Sequence, residues 1–234
     1  GTSLDNAIDQ IETALECGMT LIDTADVDGF IPLGSAEPAF GAAEELLGKV
    51  FAEVPELRSQ LVLATKGGVF PPLPYDSSAD YLRQACDASL YRLGVDVIDL
   101  YQIHRPDLLA HPAEVAEVLS ELREAGKVRE VGVSNYSPSQ IRALQSYLDF
   151  PIVSTQVELS LLALHPIGDG SLDLAVEFGM TPLAWSPLGG GRLMGDVTGN
   201  RALAVVEVCD RIASELGVPR SAVMLSWLLY LPAG

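Results

Sequence analysis

Cysteine is scarce in this 234-residue sequence, and the pattern of the few cysteines excludes two kinds of protein. Cys17, Cys86 and Cys209 are odd in number, lie far apart and form no CxxC spacing. Disulfide scaffolds and cysteine-ligated zinc sites need paired or closely spaced cysteines. We therefore predict no disulfide framework and no metal centre, and we expect buried, reduced thiols in a cytoplasmic protein.

Basic residues and long apolar runs are also few. Lys and Arg number 14 against 32 Asp and Glu, which gives a net charge of −18. Surfaces that bind nucleic acids or anionic membranes carry an excess of Lys and Arg, so neither partner is expected. No apolar stretch reaches the roughly 18 residues of a membrane helix. The opening residues GTSLDNAIDQIETAL lack the basic and apolar regions of a signal peptide, so we expect none.

Apolar residues make up 48% of the sequence and occur in segments that alternate in type. Runs typical of buried strands are separated by amphipathic segments typical of helices, and this order predicts a parallel sheet with right-handed crossovers. The predicted strands are residues 19–26, 60–68, 95–106, 129–136, 151–160 and 181–191. The predicted helices are residues 5–18, 37–54, 77–94, 112–128, 137–148, 171–179, 202–217 and one that begins at 219. No linker divides the chain, so we predict one domain over residues 1–234.

The polar residues of this pattern stand at the C-terminal ends of all six predicted strands. An open doubly wound sheet would gather its ligand-binding residues at one switch point, whereas a (β/α)8 barrel gathers them from every strand. We therefore predict a (β/α)8 TIM barrel of which about six strands are in this chain. We expect the first and last barrel strands to lie outside this sequence, since six strands alone would leave two unprotected edges.

Three predicted strands each end in one chemically active residue. Asp23 follows the apolar pair Leu21-Ile22 in LIDTAD, Lys66 ends LVLATK and His104 ends IDLYQIH. The intervals are about 40 residues, about the length of one strand–loop–helix–loop unit. A buried Lys is rare unless it is paired, and Asp23 on the neighbouring strand is the expected partner of Lys66. An acid, an amine and an imidazole at one mouth predict an active site.

The later strands end in neutral groups that suit a ring and a phosphate. Amide and hydroxyl side chains are followed by an indole and then by a glycine-rich loop with a basic end, whose backbone N–H groups can approach phosphate oxygens. The residues are Ser134, Asn135, Gln156, Trp185, Ser186, Pro187, Leu188, Gly189, Gly190, Gly191 and Arg192. By contrast, His111 and His165 stand beside prolines in loops and are predicted to be ordinary surface residues.

The motifs together resemble the aldo-keto reductases, in particular their bacterial oxidoreductase-type branch, from about residue 4 to residue 230. They are DTAD (23–26), ATKGG (64–68), IHRPD (103–107), GKVREVGVSN (126–135), TQVE (155–158) and AWSPLGGGRL (184–193). The resemblance implies a (β/α)8 barrel that uses NADPH to reduce a carbonyl substrate.

The resemblance also implies roles for individual residues. Asp23, Lys66 and His104 would be three of four catalytic residues. Ser134, Asn135 and Gln156 would hold the carboxamide of the cofactor, Trp185 would stack on the nicotinamide, and the loop from Ser186 to Arg192 would lie along the pyrophosphate. The contacts of the family to the 2′-phosphate would lie beyond Gly234.

The fourth catalytic residue of the family is a Tyr five positions after the Asp, and here that position holds Asp28. A phenol is brought towards a working range by a neighbouring Lys⁺, whereas we expect the same Lys⁺ to lower the pKa of an Asp further. Asp28 would then be an anion at neutral pH that cannot donate a proton. Loss of a general acid typically costs about 10²–10⁴-fold in rate.

Three explanations of Asp28 are open. Residues of a loop around GFIPLGSAEPAF, including the Tyr, are missing from the sequence; His104 supplies the proton; or catalysis is lost and the protein only binds nucleotide as a regulatory or partner subunit. Tyr75 and Tyr101 are other hydroxyls, although strand alternation predicts that Tyr101 faces away from His104. A separate hypothesis is that Lys66 forms a Schiff base with a carbonyl substrate.

Overall fold

The computed structural model describes residues 2–29, 40–71 and 74–233. The chain divides into two compact units. The first comprises Gly1–Ser134 and Arg142–Pro151, and the second comprises Asn135–Ile141 and Ile152–Gly234. That residues 1–234 form one barrel domain stays a prediction.

The first unit is built on four parallel strands with helices between them. Its elements are α1 (Leu4–Glu16), β1 (Leu21–Asp23), α2 (Ala42–Glu53), α3 (Pro55–Gln60), β2 (Val62–Gly67), α4 (Ala79–Leu93), β3 (Ile98–Ile103), α5 (Pro112–Glu124) and β4 (Val128–Ser134). Each strand pairs in parallel with the next one along the chain, so the residues that follow each strand emerge at the same edge. Strand β3 is buried along its whole length, as a strand covered on both faces should be.

The second unit contains two parallel strands and most of the remaining helices. Its elements are β5 (Ser154–Glu158), α7 (His165–Gly168), α8 (Ser171–Phe178), β6 (Thr181–Trp185), α9 (Asn200–Leu216) and α10 (Arg220–Leu229). In the sequence, α6 (Pro138–Gln145) follows β4 and precedes β5, and its residues are divided between the two units. Leu193, Val206, Cys209 and Met224 form the centre of one apolar cluster in this unit.

Side-chain caps fix where several helices begin. The S-x-x-Q pattern at residues 137–140 forms a capping box at the start of α6: Ser137 Oγ accepts from the amide of Gln140 at 3.4 Å, and Gln140 Oε1 accepts from the amide of Ser137 at 2.9 Å. Ser78 caps α4 in a similar way. His111 is exposed, as predicted, but its Nδ1 also accepts from the amide of Ala113 and so caps α5.

Some predictions of element bounds and burial were wrong. The last predicted strand was extended to Gly191, but β6 ends at Trp185 because Ser186 and the following glycines have positive φ, which no strand accommodates. The short helices α3 and α7 were not predicted. Cys17 is exposed, since it follows the solvent-facing end of α1, whereas Cys86 and Cys209 are buried thiols as expected.

Candidate active site

Asp23 and Lys66 meet at the carboxyl ends of β1 and β2. Lys66 Nζ donates to Asp23 Oδ2 at 2.5 Å and to the carbonyl oxygen of Thr24 at 2.9 Å. The Lys66 side chain is 5% exposed and the Asp23 side chain 30%. The expected partnership of these residues is thus present, and it solves the problem of burying an amine, because the ammonium has a carboxylate and a carbonyl as acceptors.

Gln102 is a third member of this site and was not among the predicted residues. It lies opposite Lys66 in the β2–β3 register, and its Nε2 donates to Asp23 Oδ1 at 3.1 Å. Asp23 therefore accepts from Lys66 on one oxygen and from Gln102 on the other. The place of Gln102 two residues before His104, on the same face of the strand, was the sequence feature that could have identified it.

His104 follows β3 directly, and its amide donates to the carbonyl oxygen of Gly67 at 2.8 Å. Burial lowers the pKa of its imidazole to about 4, and the nearby positive charges of Lys66 and Arg105 act in the same direction. The imidazole is therefore neutral at pH 7. A neutral imidazole can orient a polar substrate atom by a hydrogen bond, but it carries no extra proton to transfer.

The pKa of the Asp28 carboxyl group is raised, whereas we expected it to be lowered. Lys66 does lower the pKa of its carboxyl group, but loss of hydration raises that pKa by more, and the negative charges of Asp23 and Glu44 raise it further. The residue keeps an exposed surface, and its amide donates to the carbonyl oxygen of Ala25 in a turn. The predicted net lowering of the Asp28 pKa was wrong because local desolvation cannot be read from the sequence.

The loop explanation of Asp28 involves residues that the structure does not describe. The segment GFIPLGSAEPAF runs from Gly29 to Phe40, and residues 30–39 lie outside the described ranges. That explanation stays a hypothesis.

The carboxyl groups of Glu44 and Asp26 are both fully buried, and the sequence analysis did not identify either of them. Glu44 accepts from Thr65 Oγ1 at 2.5 Å and from Arg92 Nε at 2.7 Å, so its charge is balanced. Among the residues that the structure describes, the one side-chain partner of Asp26 is the phenol of Tyr81, which donates to Oδ2 at 3.3 Å. Burial, and then the charge of Glu44, raise the pKa of Asp26 to about 8. Asp26 is therefore held mainly as a neutral acid at neutral pH.

Tyr101 packs away from His104, as strand alternation predicted. It is fully buried, and a Cβ atom built on Gly67 would lie 2.1 Å from its phenol oxygen. Burial raises the pKa of the Tyr101 phenol well above its ordinary value. Tyr101 thus explains why a glycine follows Lys66, and it is not a hydroxyl of the site.

In the second unit, an amide and an indole are fixed to each other. Trp185 Nε1 donates to Asn135 Oδ1 at 3.0 Å, and the amide of Asn135 donates to the carbonyl oxygen of Gln156 at 2.8 Å. Asn135 has φ of 61°, a left-handed conformation that Asn adopts more readily than most residues. The Gln156 side chain is buried in β5, and Ser134, the last residue of β4 in the first unit, is buried as well.

The loop after Trp185 is a series of tight turns. Gly189, Gly190 and Gly191 have φ of 68°, 62° and 84°. The amide of Gly189 donates to the carbonyl oxygen of Ser186 at 2.8 Å, and Arg192 Nε donates to the carbonyl oxygen of Gly189 at the same distance. Within the described ranges, the amides of Gly190 and Gly191 have no acceptor. Leu188 packs on the apolar cluster around Leu193, so it anchors this loop, which also contains Pro187.

This loop borders a pocket of about 680 Å³ within the second unit. Its lining combines amide-rich turns, the start of α9 and two guanidinium groups. The lining consists of Gly190, Gly191, Arg192, Thr198, Gly199, Asn200 and Arg201, together with the carboxylate of Asp196 and the apolar Leu162 and Ala202. Free amides, a helix N-terminus and arginines are donors suited to phosphate oxygens, so these residues fit the pyrophosphate of a dinucleotide. The buried amides and the indole fit its nicotinamide.

The comparisons with known proteins identify the family of this chain. The sequence matches the model of the aldo/keto reductase family over residues 1–234. The chain belongs to the aldo/keto reductase family. It is 52% identical over 234 residues to a 6-dehydroglucose reductase of Novosphingobium aromaticivorans, covering 100% of this chain and 75% of that protein. A protein of the same name from Agrobacterium fabrum is 36% identical over 233 residues, covering 96% of this chain and 74% of the relative.

The fold is shared with a solved aldo-keto reductase as well. The structure of the thermostable enzyme Tm1743, in complex with the inhibitor epalrestat, is similar with a TM-score of 0.81 and 28% identity, and the match covers 98% of this chain and 75% of that chain. The predicted family, the barrel fold class and an oxidoreductase enzyme are therefore confirmed. The location of the first and last strands outside this sequence stays a prediction. Among the described residues, no helix combines the length and the apolar character that crossing a bilayer requires.

Proposed function

We propose that this aldo-keto reductase reduces an aldehyde or ketone to an alcohol with NADPH. The observation that carries the proposal is the buried Lys66, whose ammonium is held by Asp23 beneath the carboxyl ends of the strands. A reduced nicotinamide would supply hydride to the carbonyl carbon. Lys66 stabilises the negative charge that develops on the carbonyl oxygen, and Asp23 with Gln102 keeps the ammonium in place. Neutral His104 orients the substrate.

The second unit contributes the cofactor site in this proposal. Asn135 and Gln156, with Ser134, hold the carboxamide, and Trp185 stacks on the ring in an orientation that its bond to Asn135 fixes. The turns from Ser186 to Arg192 take the pyrophosphate. The choice of NADPH over NADH rests on resemblance to the family, so the test must include both cofactors.

The names of the relatives suggest the substrate class. Two relatives, at 52% and 36% identity, are called 6-dehydroglucose reductase, which is the name for an enzyme that reduces an oxidised glucose. We propose that this chain also reduces a sugar carbonyl of that kind.

The experiment that tests this function is a cofactor-oxidation assay. The purified chain would be mixed with NADPH or NADH and with 6-dehydroglucose, glucose or an apolar aldehyde of similar size. We expect NADPH loss with 6-dehydroglucose, matched mole for mole by alcohol product, and none with glucose, which serves as the control without the new carbonyl. NADPH binding without oxidation across all the carbonyl compounds would contradict the proposal.

A second candidate function follows from Asp28. If the phenol position of the family holds a residue that cannot support catalysis, the protein would bind nucleotide and act as a regulatory or partner subunit. This candidate predicts tight NADPH binding, no turnover in the wild type and turnover in D28Y. Turnover in the wild type, or its absence in a folded D28Y that still binds NADPH, would argue against it.

Three further assignments complete the proposal. We propose that residues 1–234 belong to one barrel domain, that the protein is cytoplasmic, and that its partner is a small carbonyl compound rather than nucleic acid or membrane. The net charge of −18 supports the last assignment.

A further inference from the structure

The site brings together an acid, an imidazole and an amine. Both oxygens of Asp23 already accept hydrogen bonds, one from Lys66 and the other from Gln102. His104 is neutral, as its pKa of about 4 requires. Lys66 Nζ is a three-fold donor with two acceptors among the described residues, Asp23 and the carbonyl oxygen of Thr24. Its third N–H has no acceptor there.

The phenols nearest in sequence to this site have other tasks. Tyr101 covers Gly67 from the opposite face of the sheet. Tyr81 donates to the buried Asp26, and burial raises the pKa of its phenol above the ordinary value. Tyr75, 39% exposed, remains to be tested by mutation. Among the described residues, no phenol forms a hydrogen bond with Lys66.

We propose that Lys66 itself donates the proton to the carbonyl oxygen of the substrate. This inference rests on the proposed carbonyl reduction and adds a direct catalytic role for the amine. The carbonyl carbon gains hydride from the reduced nicotinamide, which becomes oxidised. The π electrons of the C=O bond move to oxygen, the N–H bond of Lys66 breaks, and its proton forms the O–H bond of the alcohol. The neutral amine then regains a proton from solvent.

The electrostatics of the site support this assignment. Lys66 Nζ donates to Asp23 Oδ2 and to the carbonyl oxygen of Thr24, so two fixed acceptors hold the amine at the ends of the strands as a hydrogen-bond donor. An ammonium ion is a much stronger acid than an alcohol, so transfer to the developing alkoxide is downhill. Asp28 carries a raised pKa and senses Lys66 electrostatically, and its exposed surface gives it access to solvent.

The chain is suited to a direct test because it has only three lysines, Lys49, Lys66 and Lys127. Lys66 is buried, whereas Lys49 and Lys127 are at the surface. Lysine labelled with ¹⁵N at the side-chain nitrogen would give three resonances, which K49R and K127R assign. Acetamide is an unreactive carbonyl probe, since a nicotinamide does not reduce it.

In the NMR experiment, acetamide would be titrated into the NADP⁺-bound protein. We expect the ¹⁵Nζ signal of Lys66 to shift with saturation, in the wild type and in D28N alike, while the Lys49 and Lys127 signals stay in place. This contact can be observed even if no substrate is turned over, so it separates the present proposal from the proposed function. An unchanged Lys66 signal with acetamide bound, as measured by calorimetry, would overturn the direct contact.

The kinetic experiment compares K66R, K66M, D28N and Y75F. K66R keeps a cation beside Asp23 but gives up its proton far less readily, so we expect kcat to fall by about 10²–10⁴-fold, the usual cost of losing a general acid. K66M should fall at least as far, whereas D28N and Y75F should stay within about tenfold of wild type. In a plot of kcat/KM against pH, the fall at alkaline pH should stay in place in D28N. In K66R it should move to higher pH, because a guanidinium loses its proton at higher pH than an ammonium.

Other results would assign the proton elsewhere. A loss of about 10²-fold or more in Y75F, with K66R near wild type, would identify Tyr75 as the donor. The same loss in D28N would identify Asp28. Either result would overturn the role of Lys66 while leaving carbonyl reduction intact. An inactive wild type with a normal Lys66 contact would instead count against the proposed function.

Discussion

Asp26 and Lys66 are joined through their backbones. The amide of Asp26 donates to the carbonyl oxygen of Lys66 at 3.0 Å, and the carbonyl oxygen of Asp26 accepts from the amide of Gly41 at 2.8 Å. Because Lys66 Nζ also donates to the carbonyl oxygen of Thr24, the segment that contains Asp23 and Asp28 is fastened to β2 on both sides. The backbone of Asp26 therefore helps to hold this segment beside Lys66.

The raised pKa of Asp26 makes stability depend on pH. In the folded state the carboxyl group keeps its proton up to about pH 8, whereas in the unfolded chain it ionises near its ordinary pKa. The unfolded state thus binds fewer protons between these values, so folding loses stability as the pH rises from about 4 to about 8 and changes no further above that. D26N removes this dependence, because an amide does not ionise.

We therefore expect the thermal midpoint of D26N to exceed that of the wild type by an amount that grows between pH 5 and pH 8. Each pKa unit corresponds to about 1.4 kcal/mol, and each kcal/mol to roughly 2–4 °C for a chain of this size, so the gap should widen by several degrees. D80N is the control, since the Asp80 side chain is 91% exposed. Parallel pH curves for D26N and wild type would show that Asp26 is ionised in the folded protein.

Gly67 and Tyr101 should show strong coupling in a double-mutant cycle. G67A places a Cβ atom 2.1 Å from the Tyr101 phenol oxygen, so we expect it to lower the free energy of unfolding by about 1–3 kcal/mol. Y101F should be nearly neutral, because within the described residues the buried hydroxyl has no hydrogen-bond partner. The double variant should regain part of the loss in urea denaturation. Simple additivity would mean that the two side chains do not collide.

Asp99 fixes the opposite, N-terminal end of the sheet. Its carboxylate accepts from the amide of Leu63 at 2.9 Å and forms ion pairs with Arg58 at 2.8 Å and Arg129 at 2.6 Å. D99N leaves Arg58 without its counter-ion, so we expect a loss of about 2 kcal/mol or more in the free energy of unfolding. E121Q is the matched control, because its pair with Arg83 is exposed to solvent and should contribute little to stability. Equal losses in the two variants would contradict the structural role of Asp99.

Two variants of Asn135 can separate its hydrogen bond to Trp185 from its proposed contact with the cofactor. N135D keeps an acceptor for Trp185 Nε1 but has no amide donor for a carboxamide, whereas N135A lacks both. We expect calorimetry to show weaker NADPH binding in both, by about tenfold in N135A, the loss of about 1.4 kcal/mol. Trp fluorescence should change on N135A but not on N135D, with W227F used to remove the second Trp. Unchanged affinity in both variants would remove Asn135 from the cofactor site.

Sequence reasoning succeeded where the period of a strand or the order of motifs decides the outcome. The strand-end positions of Asp23, Lys66 and His104, the outward turn of Tyr101 and the capping box at Ser137 all follow from local rules. It failed for properties that depend on many residues distant in sequence. The direction of the Asp28 pKa and the neutral state of Asp26 depend on burial by the whole unit, and Gln102 acquires its role only through its register with Lys66.

The most direct measurement is a single-turnover reaction of the purified chain with one equivalent of NADPH and excess 6-dehydroglucose, followed by absorbance and by mass analysis of the product. We predict loss of the reduced nicotinamide with formation of one equivalent of alcohol in the wild type, and loss of that reaction in K66M, whose NADPH binding should persist. Bound NADPH that remains reduced in the wild type would contradict carbonyl reduction as the function. Unchanged turnover in K66M would contradict the role of Lys66.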